Sequence, residues 1–180
     1  MRMISLAAAF AAMAGQALAL PDGVARRHDA TGPYDRLVIR GATLIDGSGA
    51  PPFGPVDIVV ENDRIAAIAA VGAPGLPIKD EVRPPLNGGR EIDAAGKYVL
   101  PGFVNLHGHI HSYGTGQDVP PDYVLKLWLM HGVTTVREVG NDKGAQFTAE
   151  LATASARNEI DAPRIYSFPF FGTCGGRDVD

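Results

Sequence analysis

Three histidines stand at alternate positions in Asn105-Leu106-His107-Gly108-His109-Ile110-His111. In an extended strand, residues i and i+2 project from the same face. His107 and His109 therefore offer two imidazoles side by side, and Gly108 removes bulk from the opposite face. Neutral imidazole is a common ligand for zinc and related divalent ions. A catalytic zinc wants three protein ligands and an open position for water. His107 and His109 are thus candidate metal ligands that make up only part of a site. His111 extends the alternation as a third candidate, but the spacing puts it past the strand end, lining a pocket or the surface. Asn105, His111 and Arg137 are the candidate pocket residues. Taken alone, a His-x-His triplet is common and usually silent.

The other reactive side chains read as bland. His131 falls in the last turn of a predicted helix, where a partly cationic ring favours the helix dipole. His28 lies in a leader segment. Cys174 is the single cysteine, so no internal disulfide can form. It sits in Gly172-Thr173-Cys174-Gly175-Gly176 with no partner base in view, which reads as a small residue in a flexible context.

The elements that must position the histidines change character near Pro101. Before it, Leu37-Val38-Ile39, Ala42-Thr43-Leu44-Ile45, Val56 to Val60 and Arg64 to Ile68 are short β-rich runs. Asn62 and Asp63 tolerate the positive φ of a tight hairpin turn between the last two. Gly72 to Gly89 is rich in Pro and Gly and reads as a loop. Glu91-Ile92-Asp93 and Lys97 to Leu100 add two strands, and the whole is expected to be antiparallel. After Pro101, Gly102 to His107 is an apolar strand. Asp122 is a predicted N-cap for a helix over Tyr123 to His131, and Gly132 fits the position just past its end. Val133 to Val139 is β-branched and strand-like. Asn141 or Asp142 can cap a second helix with Phe147, Leu151 and Ala154 on one face, and Arg164 to Phe168 gives a further strand. Strand, helix, strand, helix, strand means repeating βα units on a parallel sheet, covered by the helices.

The 180 residues carry a net charge of -4, and no basic patch or stripe is visible, which excludes nucleic-acid partners. Arg2, the alanine-rich run Ile4 to Gly15 and the small-x-small site Ala17-Leu18-Ala19 have the layout of a cleavable secretory signal. The apolar run is short of the ~20 residues a membrane span needs. A periplasmic or secreted protein with cleavage near Ala19/Leu20, and no stable membrane anchor, is expected. The expected organisation is a signal peptide over 1–19, a leader over 20–33, a β-sandwich part over 34–100 and βα units over 101–180.

The order of these pieces resembles the amidohydrolase superfamily. Gly41-Ala42-Thr43-Leu44-Ile45-Asp46-Gly47 looks like the opening strands of its small β-sandwich, and the hairpin through Asn62-Asp63-Arg64-Ile65 fits the next step. Ile92 to His109, with Lys97-Tyr98-Val99-Leu100-Pro101-Gly102-Phe103-Val104-Asn105-Leu106-His107 inside it, looks like the approach to the barrel and its first strand. Gly132 to Gly140, with Ala162-Pro163-Arg164-Ile165 after it, is similar to the branch holding imidazolonepropionases and metal-dependent prolidases. Two departures stand out. The family often has Asp two residues before the first metal histidine, where this chain has Asn105, more a support for the strand end than a ligand. The branch tends to have Gly-Gly-His after its third strand, where this chain has Gly175-Gly176-Arg177.

The resemblance implies an α/β fold: a small N-terminal β-sandwich followed by about three βα units of an incomplete (β/α)8 TIM barrel. It implies one or two divalent ions, with zinc expected, held in part by His107 and His109 at the C-terminal mouth of the strands, where such sites lie. It implies hydrolysis of C–N bonds in a small-molecule or dipeptide-like substrate by metal-activated water, and an oligomer is compatible with the full-length form. The family's remaining lysine, two histidines and aspartate belong to later strands, past the C-terminus of these residues, so the catalytic group is unknown. A (β/α)8 barrel typically needs about 250 residues. The expectation is a fragment that by itself binds metal poorly and hydrolyses nothing. A non-catalytic periplasmic binding or scaffold module, a truncated inactive gene product and a phosphotriesterase-like hydrolase are the competing readings.

Overall fold

The computed structural model describes residues 20–21, 23–27, 31–110, 119–140 and 143–168. Two sheets organise them. The first holds β1 (Arg36–Leu44), β2 (Phe53–Glu61), β3 (Arg64–Ala70), β4 (Arg90–Asp93) and β5 (Tyr98–Val99), in the order β3-β2-β1-β4, with β5 beside the end of β1. β2 and β3 form the expected hairpin, with Glu61 opposite Arg64. Asn62 takes the positive φ of 54° that the tight turn requires, and Asp63 does not. β1 and β2 are antiparallel. The expectation of an antiparallel sheet fails at β4 and β5, which both run parallel to β1. The reason is the Val71 to Gly89 connection. It is long enough to carry the chain back across the sheet, and parallel neighbours need such a crossover. A short 3-10 turn, Asp80–Val82, lies within it. Ala42, Leu44, Val56, Ile58 and Ala94 make the core of this half.

β1 carries a bulge. Ile39 pairs with Ile58 and Ala42 with Val56, so three steps on β1 oppose two on β2. Gly41 absorbs the extra residue at φ 70°, the left-handed conformation that costs glycine least. A bulge leaves a backbone N–H without its ladder partner. Here the Gly41 N–H donates to Oδ1 of Asp57 at 2.8 Å. Asp57 is fully buried. Arg40 donates to its Oδ2 at 2.9 Å, and Arg83 donates to both oxygens at 3.0 and 3.1 Å. Arg40 also donates to the carbonyl of Pro84 at 2.8 Å, tying the crossover down beside the sheet. Burial pushes the Asp57 carboxyl up. The hydrogen bonds from Arg83, Arg40 and Gly41 outweigh it and hold the group below its ordinary 3.8.

The second sheet is parallel, in the order β6-β7-β8: β6 (Phe103–Gly108), β7 (Val133–Glu138) and β8 (Arg164–Ser167). The helices α1 (Pro121–Met130) and α2 (Gly144–Ala156) connect them, as the βα pattern predicts. Asp122 is not the cap of α1. Pro121 opens the helix, with no side-chain cap bond. Proline suits that first position because its missing N–H would be an orphan anyway. Asp122 instead accepts from Lys126 one turn on, at 2.7 Å. His131 closes the helix with its Nδ1 2.8 Å from the carbonyl of Leu127, and Gly132 follows at φ 78°. Asn141 and Asp142, read as caps for α2, lie outside the described residues. Phe147, Leu151 and Ala154 of α2 are buried together with Leu125 of α1, Val136, Ile165, Ile110 and Ile160. Leu20 and Val24 pack on this same core. Arg27 joins them there, its N–H reaching the carbonyl of Glu159 at 2.9 Å. Phe103, Val104 and Leu106 of β6, Tyr166 of β8 and Phe168 just past its end remain exposed. Among the described residues no helix is long and apolar enough to cross a membrane.

Candidate metal centre

β6 also carries a bulge, and it decides where the histidines point. Asn105 pairs with Val136 and Gly108 with Glu138, so three steps on β6 oppose two on β7. Partners across a parallel pair share a face. Asn105 and Gly108 therefore lie on the face of Val136 and Glu138, toward the helices. A Cβ on Gly108 would stand 2.6 Å from the Val136 side chain and 3.1 Å from the Trp128 ring of α1. In an unbroken strand Asn105 and His107 would share a face. The bulge resets the alternation, as bulges near functional sites do, and His107 turns away from the helices. The N–H that the bulge releases at His107 donates to Oδ1 of Asn105 at 3.1 Å.

His109 follows just past the strand end and rejoins His107. Their ring centroids are 5.2 Å apart, edge to face at 70°. Nδ1 of His109 lies 2.6 Å from the carbonyl oxygen of Gly140. A carbonyl only accepts, so in the neutral ring Nδ1 carries the proton and the lone pair falls on Nε2. Outer partners of this kind set the tautomer and the orientation of ligating histidines. The donor set suits a borderline divalent ion such as zinc, with two of the ligands it wants. Among the described residues no group of three or more His, Cys, Asp or Glu side chains converges on a single point. His111 lies outside the described residues, as do His28 and Cys174.

Of the pocket candidates, Asn105 is half-buried and serves the bulge backbone. Arg137 is exposed, with its guanidinium carbon 4.5 Å from the centre of the Phe168 ring. Its Nη1 lies 3.5 Å from the carbonyl of Leu106.

Sequence reasoning missed Glu138. It is 1% exposed at the C-terminal end of β7. Its Oε2 accepts from the Gly140 N–H at 3.1 Å and lies 3.5 Å from the Thr148 hydroxyl of α2. Its Oε1 is buried and has no hydrogen-bond partner among the described residues. The signal was present: Glu138 sits two residues beyond Val136, on the face that must be apolar under a helix.

No protein-family model matches the chain. An N-acyl-D-aspartate deacylase of Alcaligenes xylosoxydans xylosoxydans is 35% identical over 101 residues, 56% of this chain and 16% of that protein. Among solved structures, a putative prolidase from Bifidobacterium longum aligns at 26% identity and TM-score 0.55, covering 77% of this chain and 31% of its own. A molinate hydrolase aligns at TM-score 0.56 and 22% identity, covering 76% of this chain and 30% of its own. The chain spans 18% of the length of the first curated relatives it matches.

Proposed function

Taking as premise that the chain belongs to the amidohydrolase superfamily, we propose that it forms the metal-binding front of a hydrolase acting on C–N bonds. The observation that carries this reading is the paired rings of His107 and His109, 5.2 Å apart, with the second ring tied to Gly140. The two imidazoles bind and orient; the Asn105 amide oxygen holds the His107 backbone and the Gly140 carbonyl holds the His109 ring. Divalent-ion Lewis acidity at that position, zinc being the metal proposed, would supply a water acidified to a pKa near ~7 and a polarised scissile carbonyl.

The short share of each relative that the chain covers supports a role as one part of a longer protein. The exposed apolar residues of β6 and β8 supply surface on which further strands and helices of a barrel would close. The five-stranded sheet is then the small β-sandwich part beside it. The prolidase and deacylase similarities favour a dipeptide-like or acylated amino-acid substrate. Export through Ala17-Leu18-Ala19 belongs to the same proposal, since scavenging such substrates calls for a periplasmic or secreted enzyme.

The test is metal analysis of the full-length protein beside its His107→Ala/His109→Ala variant. We expect the variant to lose bound metal and hydrolysis together. A variant that keeps the wild-type metal content overturns the reading.

A further inference from the structure

A buried carboxylate is expensive unless both oxygens are satisfied. Glu138 lies between β7 and α2 with Oε1 unpartnered among the described residues, on the helix face and not on the histidine face. An apolar residue would fill the same place at lower cost. What the carboxylate does hold is the Gly140 N–H. Gly140 takes φ 131°, a conformation open to glycine and strained for other residues. The carbonyl of that same residue takes Nδ1 of His109. The peptide groups on either side of Gly140 are thus fixed at one end by Glu138 and at the other by the imidazole.

We propose that Glu138 is a positioning residue for the metal site: through Gly140 it fixes the tautomer and direction of the His109 ring. This rests on the reading that His107 and His109 hold a metal. Glu138 touches neither metal nor substrate. Its effect passes through one residue of backbone, from a buried carboxylate to a carbonyl to a ring nitrogen.

Glu138→Leu separates the two roles a buried carboxylate can have. Leucine is close in volume and removes the unsatisfied oxygen. The thermal midpoint of the full-length protein is therefore expected to stay level or rise. Affinity for Co(II), titrated against a competing chelator, is expected to fall about 10-fold, the low end of the cost of losing an outer partner of a ligating histidine, because the Gly140 carbonyl itself remains. The Co(II) absorption bands should shift with it. Glu138→Gln keeps an oxygen to accept the Gly140 N–H and should restore affinity and spectrum. Wild-type Co(II) affinity and bands in Glu138→Leu overturn the proposal. Full metal content in His107→Ala/His109→Ala instead overturns the reading beneath it. Should Glu138→Leu not fold, hydrogen exchange in the wild-type protein decides. The Gly140 amide is expected to be protected and to gain protection on metal loading. Exchange at the rate of an open loop with metal bound overturns the proposal.

Discussion

The two sheets solve the same local problem in opposite ways. Each has a bulge in its leading strand with three steps facing two, and each sets a buried carboxylate on the neighbouring strand against a freed or unpaired backbone N–H. In the first sheet, Asp57 takes the Gly41 N–H and is closed off by Arg40 and Arg83. Every strong acceptor position is used, and the knot pins the crossover to the sheet. In the second sheet, Glu138 takes the Gly140 N–H and leaves Oε1 bare among the described residues. The first arrangement is what a structural carboxylate needs. The second gives up stability at a strand end, beside the two imidazoles. A buried carboxylate with a bare oxygen asks for an explanation, and the line from Glu138 through Gly140 to His109 is the one we propose.

The sharpest way to break the contrast is to remove the satisfied carboxylate. Asp57→Ala strands Arg40 and Arg83 beside a buried void. It should cost about 3 kcal/mol, toward the low end for a broken buried pair because both guanidiniums keep some contact with water. A urea midpoint measures this. The same group sets an acid limit. Its folded pKa lies below the unfolded value of 3.8, so its contribution is complete above that value. The contribution is lost as the pH falls through the folded pKa. Urea midpoints taken downward from pH 5 should drop in the wild type, and the drop should flatten in Asp57→Asn.

Gly108→Ala comes next. Its Cβ would meet Val136 at 2.6 Å and Trp128 at 3.1 Å, an overpacking cost of about 1–3 kcal/mol. It also pushes on the bulge that aims His107. Metal affinity should fall along with the thermal midpoint, whereas Asp57→Ala should spare the affinity of whatever fraction stays folded. The smallest effect is expected at Arg137→Ala. Loss of the exposed stacking on Phe168 should cost less than about 1 kcal/mol by denaturant titration. A larger loss would place Arg137 in the frame of the site.

Much of this arrangement was legible in the residues. The alternation of Phe147, Leu151 and Ala154 placed α2 on its sheet, Gly132 marked the end of α1, and Asn62 marked the hairpin. Each is a local signal, a period or a backbone conformation that few residue types accept. Nothing local revealed that β4 and β5 run parallel to β1, because strand direction depends on where a long connection returns. The start of α1 fell at Pro121, with Pro120 in the cap position, rather than at Asp122 for a related reason. Two rules competed at adjacent positions, and the packed neighbours decided between them.

The histidine pair shows the division most clearly. The residue types and the spacing of His107 and His109 determined that two imidazoles stand close together near a strand end. Which side of the sheet they face, and what holds them there, was decided in three dimensions. The bulge at Asn105 to Gly108 is defined only against β7. The partner of His109 comes from Gly140, which is 31 positions away, and the carboxylate behind it matters because α2 buries it. Side-chain periodicity is a property of one strand, whereas register, burial and hydrogen-bond satisfaction are properties of pairs of elements.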